Sequence, residues 1–90
     1  MKHLELRYVG HISTMTGCLK EDCQTEAATL RELLRELNEK YDEFQQVFVN
    51  PLTRKMNFNV MVYYAGEGEV PVSIIDIDHP IENGAKITFW

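Results

Sequence analysis

Leu30, Leu33, Leu34, Leu37 and Tyr41 fall at i, i+3, i+4, i+7 and i+11, which puts all five on one face of an α-helix. A chain with a single stripe of this kind cannot build a helical bundle. Strand signals on both sides of it make a sheet its partner, so the order of elements predicts a two-layer α+β architecture. Thr29 and Glu32 form a T-x-x-E capping box that fixes where the helix starts. The helix is expected over about residues 29–42. Glu36 precedes Lys40 at i,i+4, a pairing of roughly 0.2–0.5 kcal/mol on an outer face that reads as solvated.

The sheet is written in shorter signals. His3 to Val9 alternates, with Leu4, Leu6 and Tyr8 on one side and His3, Glu5 and Arg7 on the other, which is a strand with one buried face. After Gly10, residues 11–17 read as a small polar stretch with a helical turn. Cys18 to Thr25 is a polar strand, which belongs at a sheet edge where its charges discourage pairing with other molecules. Beyond the helix, the apolar run Phe44 to Val49 suggests a third strand, and Asn50-Pro51 begins a turn. Phe58 to Tyr64 alternates best of all, with Phe58, Val60, Val62 and Tyr64 assigned to the core face. Pro71 to Ile77 is apolar but irregular, with Asp76 and Asp78 on what reads as a strand's wet face. Asn83-Gly84 marks a tight turn, and Ala85 to Trp90 closes the chain as a strand with Ala85, Ile87 and Phe89 inward.

Ninety residues suit one domain, 1–90, and 44% hydrophobic with 26% charged residues is ordinary for a globular protein. Nine Lys and Arg against fourteen Asp and Glu leave a net charge of −5, which argues against nucleic acid or an anionic membrane as partner. No stretch approaches the roughly 18 apolar residues of a membrane span, and the first residues do not form a secretory signal. Cytoplasmic residence is the default expectation. Cys18 and Cys23 are the only cysteines. On one continuous strand their odd separation would point them to opposite faces, so two reduced thiols are expected rather than a disulfide or a zinc site.

Three segments carry a resemblance. Ala28-Thr29-Leu30-Arg31-Glu32-Leu33-Leu34 resembles the helix start of the MoaD/ThiS sulfur-carrier family, and Asn38 to Phe44 resembles its helix end. Asp78-His79-Pro80-Ile81-Glu82-Asn83-Gly84-Ala85-Lys86-Ile87-Thr88-Phe89 resembles its closing segment. The resemblance implies a ubiquitin-like β-grasp: a mixed four- to five-stranded sheet packed on one main helix. It also implies protein partners similar to an activating enzyme or to the large subunit of a synthase. Those carriers react through a Gly-Gly end on a mobile tail, where the missing side chains let the tail thread a narrow channel. Here the closing strand runs to Phe89-Trp90. The expectation is therefore a β-grasp protein that binds a partner in, or descended from, a molybdopterin or thiamine sulfur-transfer system without itself being thiocarboxylated. The alternatives are a genuine carrier whose tail is missing from this sequence, and a stand-alone ubiquitin-like interaction or regulatory domain.

No enzyme motif emerges, so no catalytic, cofactor-binding or metal residue is assigned. His79 precedes a proline in the family-like turn and reads as structural, while His3 and His11 read as exposed. Gly66-Glu67-Gly68 lacks the strand–turn–helix setting of a phosphate loop. The candidate site is the sheet face away from the helix. If Phe58, Val60, Val62 and Tyr64 face the core, Met61 and Tyr63 point outward, as Trp90 does on the last strand and Arg7 on the first. Aromatics, Met and Arg are the residue types enriched where proteins bind proteins. Arg7, Met61, Tyr63 and Trp90 are expected to form a surface for a partner protein or for self-association.

Overall fold

A computed structural model describes residues 1–90. The chain runs β1 (Lys2–Tyr8), α1 (His11–Thr16), β2 (Lys20–Thr25), α2 (Leu30–Lys40), α3 (Phe44–Phe48), β3 (Val62–Ala65), β4 (Val72–Ile74) and β5 (Lys86–Phe89). The strands form one sheet in the order β2-β1-β5-β3-β4. Only the central β1–β5 pair is parallel, and the other neighbours are antiparallel. Helix α2 packs on one face, which is the β-grasp arrangement implied above.

Alternation decides which face is buried. Leu4, Leu6 and Tyr8 of β1, Val62 and Tyr64 of β3, and Ile87 and Phe89 of β5 all turn toward α2 and join one core with Leu30, Leu33, Leu34 and Leu37. Tyr8 stacks on Phe89 at 5.9 Å between ring centroids, and Phe44 and Phe48 meet Phe89 edge-on at 5.4 and 5.2 Å. The start of α2 is fastened twice. The capping box forms as expected, with Thr29 accepting from the Glu32 N–H and Glu32 accepting from the Thr29 N–H. The first helical N–H groups, which lack intrahelical acceptors, donate elsewhere: Leu30 to the carbonyl of His79 and Arg31 to that of Ile77. The 76–81 turn is thereby seated on the helix.

Several expectations need correction. Phe44–Val49 is not a strand. Phe44–Phe48 is a short helix, and Phe44 and Phe48, one turn apart, are both fully buried. A segment this short, with Gln45 and Gln46 among its apolar residues, does not let periodicity separate a strand from a helical turn. The strand expected over Phe58–Tyr64 begins only at Val62; Phe58 sits on a turn and is fully exposed instead of in the core. The second strand starts at Lys20, leaving Cys18 before it, and both thiols are free. Helix α2 spans 30–40, with Thr29 and Tyr41 as caps. Glu36 and Lys40 find tertiary partners instead of each other: Glu36 accepts from the Thr25 hydroxyl, and Lys40 bonds Glu21 at 2.5 Å. Asp76 and Asp78 lie at a turn beyond β4, where the His79 N–H donates to the Asp76 carbonyl.

Candidate functional site

The open face of the sheet is built by register. Arg7 of β1 and Tyr63 of β3 both pair with Thr88 of β5, so the three form one row across the solvent side. Met61 and Trp90 extend the β3–β5 ladder by one step. The Trp90 N–H donates to the Met61 carbonyl at 2.9 Å, and the Met61 N–H returns to Trp90 at 3.5 Å. These backbone bonds bring three of the four candidates together. The Tyr63 and Trp90 rings meet edge-to-face at 6.3 Å, and the Tyr63 hydroxyl donates to the Met61 sulfur at 3.5 Å. Trp90 is 50% exposed and Met61 42%. An indole fixed by neighbouring side chains but half in water has little rotamer freedom left to lose on contact.

The fourth candidate, Arg7, stands apart from that trio across Thr88. Its Nε donates to Glu5 Oε2 at 2.9 Å, and Lys86 approaches the same carboxylate at 3.6 Å. The Arg7 hydrogen bond holds the Glu5 carboxyl below its ordinary value. This side of the face is an ion cluster, while the Met61–Tyr63–Trp90 side is apolar.

The remaining reactive side chains are engaged locally. The His79 ring lies 4.6 Å from Tyr64, with Nδ1 2.8 Å from the Pro80 carbonyl oxygen, and the Tyr64 hydroxyl accepts from the Glu82 N–H. His79 thus braces the turn as expected. The His3 N–H donates to the Asn83 side chain at 2.7 Å, tying β1 to the tight turn before β5. No cluster of three or more His, Cys, Asp and Glu side chains could hold a metal ion.

Two features escape the sequence reading. The first is a carboxylate with three donors. Glu21 of β2 accepts from Lys40 and from the hydroxyls of Tyr8 and Tyr41. Burial raises the Glu21 pKa, but these donors outweigh it and the net value falls below the usual carboxylate range. Burial and the bond to Glu21 push Tyr8 up, and Tyr41 to about 12. Burial also pushes up the Cys23 thiol, with the charges of Glu36 and Glu21 adding to it. This cluster ties the polar edge strand to the end of α2. The period-two pattern marks Glu21 only as one more charge on a wet strand.

The second feature is a cleft of about 980 Å³ where the 53–61 segment and the 73–78 segment diverge. Its apolar lining includes Phe58, Met61, Ile75 and Ile77. Its charges are Arg31, Arg54, Lys55, Asp76 and Asp78. Arg31 is held in a two-point bond to Asp78 at 2.8 and 3.2 Å, whereas Arg54 and Lys55 form no ion pair. Met61 borders both the cleft and the open-face trio.

No protein-family model and no curated protein sequence matches the chain. Solved structures do match over almost its full length. The putative molybdopterin converting factor subunit 1 from Pyrococcus furiosus superposes with a TM-score of 0.69 at 16% identity, covering 99% of this chain and 95% of that one. Small archaeal modifier protein 1 of Haloferax volcanii superposes with a TM-score of 0.72 at 11% identity, over 99% and 95% of the two chains. A second structure from that organism, SAMP1, gives 0.72 at 13% identity, over 98% and 92%. At these identities the likeness establishes the fold, a ubiquitin-like β-grasp.

Proposed function

We propose that residues 1–90 act as a non-catalytic docking unit. They would bind a protein partner, similar to an activating enzyme or a synthase large subunit, in or derived from a molybdopterin or thiamine sulfur-transfer system. The observation that carries this reading is the Met61–Tyr63–Trp90 trio, an ordered aromatic and thioether surface left half in water on a regular sheet. Arg7 borders it as a rim charge. Rim charges of this kind change association rates more than affinity. The fold shared with a protein described as a converting factor subunit supports a role exercised alongside another chain.

The test is binding of candidate activating enzymes and synthase large subunits by the protein and by Trp90→Ala/Tyr63→Ala. Loss of two central aromatics is expected to weaken binding by about 30-fold or more with the melting curve little changed. Undiminished binding removes the trio from consideration. A second reading, a sulfur carrier, is favoured by the same structural likeness and is separated by intact mass. After incubation with ATP, an activating enzyme and a sulfur donor, one sulfur-for-oxygen exchange at the C-terminus would replace the docking-only reading.

A further inference from the structure

The β3–β4 hairpin is polarised along its length. Its tip, Glu67-Gly68-Glu69-Val70, is exposed at every residue and carries two carboxylates next to an apolar side chain. Its other end opens into the cleft, where Arg54 and Lys55 lack ionic partners beside Phe58 and Ile75. With Arg31 and Asp78 paired to each other, Arg54 and Lys55 against Asp76 leave the cleft net positive. In a chain of net charge −5 such a cleft selects an acidic and apolar visitor. The hairpin tip has that composition, but it cannot reach its own cleft, because the paired strands hold the two apart. A second copy can bring it there.

The edge between tip and cleft favours that meeting. β4 is the last strand of the sheet, so its outer side has no strand neighbour. Val70, Val72 and Ile75 along it are 80%, 56% and 84% exposed. We propose that two copies of this chain associate about a two-fold axis near Ser73, with their β4 edges antiparallel. Each acidic tip then lies against the cationic cleft of the other copy. The contact is isologous, so it occurs twice and closes on itself without growing into a fibre. Pro71 and the three-residue strand keep the shared backbone ladder short. Side chains therefore carry the association, and screening by salt weakens it. Asp76 in the cleft lining subtracts from the attraction, while Asp78 is neutralised by Arg31. The dimer goes beyond the docking role and uses a separate edge of the sheet.

Sedimentation velocity over a range of protein and salt concentrations tests it. The expected result is a reversible dimer that dissociates as salt rises. Arg54→Glu/Lys55→Glu and Glu67→Lys/Glu69→Lys are each expected to weaken self-association by about ten-fold or more, since either places like charges at both contacts. Mixed together, the two variants regain a dimer, because acid meets base at both contacts of the hetero-pair. These side chains are exposed, so circular dichroism is expected to report an intact fold in both. A chain monomeric at about 1 mM in low salt overturns the proposal. So does a dimer indifferent to the charge reversals, or failure of the mixture to re-form one. Trp90→Ala/Tyr63→Ala is expected to leave the dimer intact; a dimer lost only in that variant belongs to the open face and also overturns it.

Discussion

The two outer strands of the sheet deal with an unpaired edge in opposite ways. On β2 the polar side chains at Glu21 and Thr25 turn back to α2: Glu21 is held by Tyr8, Tyr41 and Lys40, and Thr25 donates to Glu36. What stays outside includes Lys20 and Asp22, charges that deter strand addition. On β4 the apolar Val72 and its neighbours Val70 and Ile75 face water, and the nearby cations of the 54–55 turn have no partner. One edge uses polar groups to bind the molecule to itself. The other leaves apolar surface unburied, a stability contribution forgone, and such surface is what association can use.

That contrast predicts unequal sensitivity to side-chain removal. Leu33 lies under the β2 half, fully buried among the core leucines. Leu33→Ala is expected to cost about 2–5 kcal/mol by lost transfer energy and a residual cavity. Ile75→Ala at the opposite edge is expected to stay within about 0.5 kcal/mol. Urea titration of both variants at low protein concentration checks the pair. Comparable losses would mean that the β4 edge is part of the stability core, and the contrast would fall.

A smaller effect isolates the polar weld. Glu21→Ala leaves the buried Tyr8 hydroxyl without its acceptor, a loss of about 1–3 kcal/mol. It should also change the pH profile. The folded pKa of Glu21 lies below the ordinary 4.5, so its contribution is complete above that value and is lost as pH falls through the lower, folded one. Acid denaturation of the unaltered chain is expected to steepen there, and Glu21→Ala is expected to flatten that limb. Parallel acid limbs for the two proteins would show that Glu21 adds nothing to it.

These two edges also differ in how far the sequence discloses them. β1, α2 and β5 are legible because each keeps one period, with its apolar positions on a single face. That phase also assigns Met61, Tyr63 and Trp90 to the open side, since Val62, Tyr64 and Phe89 point inward. Phe44 and Phe48 mislead because their i,i+4 spacing sits in a segment of six residues, too short for its apolar positions to settle a period. Phe58 misleads because alternation continues by accident across a turn, and only the chain's path puts its ring in water. The cleft is written in no local pattern, since its walls lie about twenty residues apart. The donors of Glu21 are likewise spread from Tyr8 to Tyr41. Tertiary assemblies of that kind become readable only once the strand order is known.

The smallest expected change separates fold from function at one residue. Arg54 has φ 61°, in the left-handed region that glycine enters without the clash a Cβ brings. Its N–H still donates to the Asn50 carbonyl at 2.7 Å, and the Asn50 N–H returns to Lys55 at 2.9 Å, so the turn holds the arginine in that conformation. Arg54→Gly relieves the side-chain strain but adds freedom to the unfolded chain, and the net stabilisation is expected to be at most about 1 kcal/mol. Self-association should move the other way, because half of the unpaired charge at each cleft is gone. A variant that melts slightly higher yet dimerises more weakly would mark Arg54 as a residue kept for contact at the expense of its own backbone. A variant that gains nothing in stability would show the turn to be unstrained. One that gains stability and dimerises as before would leave Lys55 as the only cation the cleft needs.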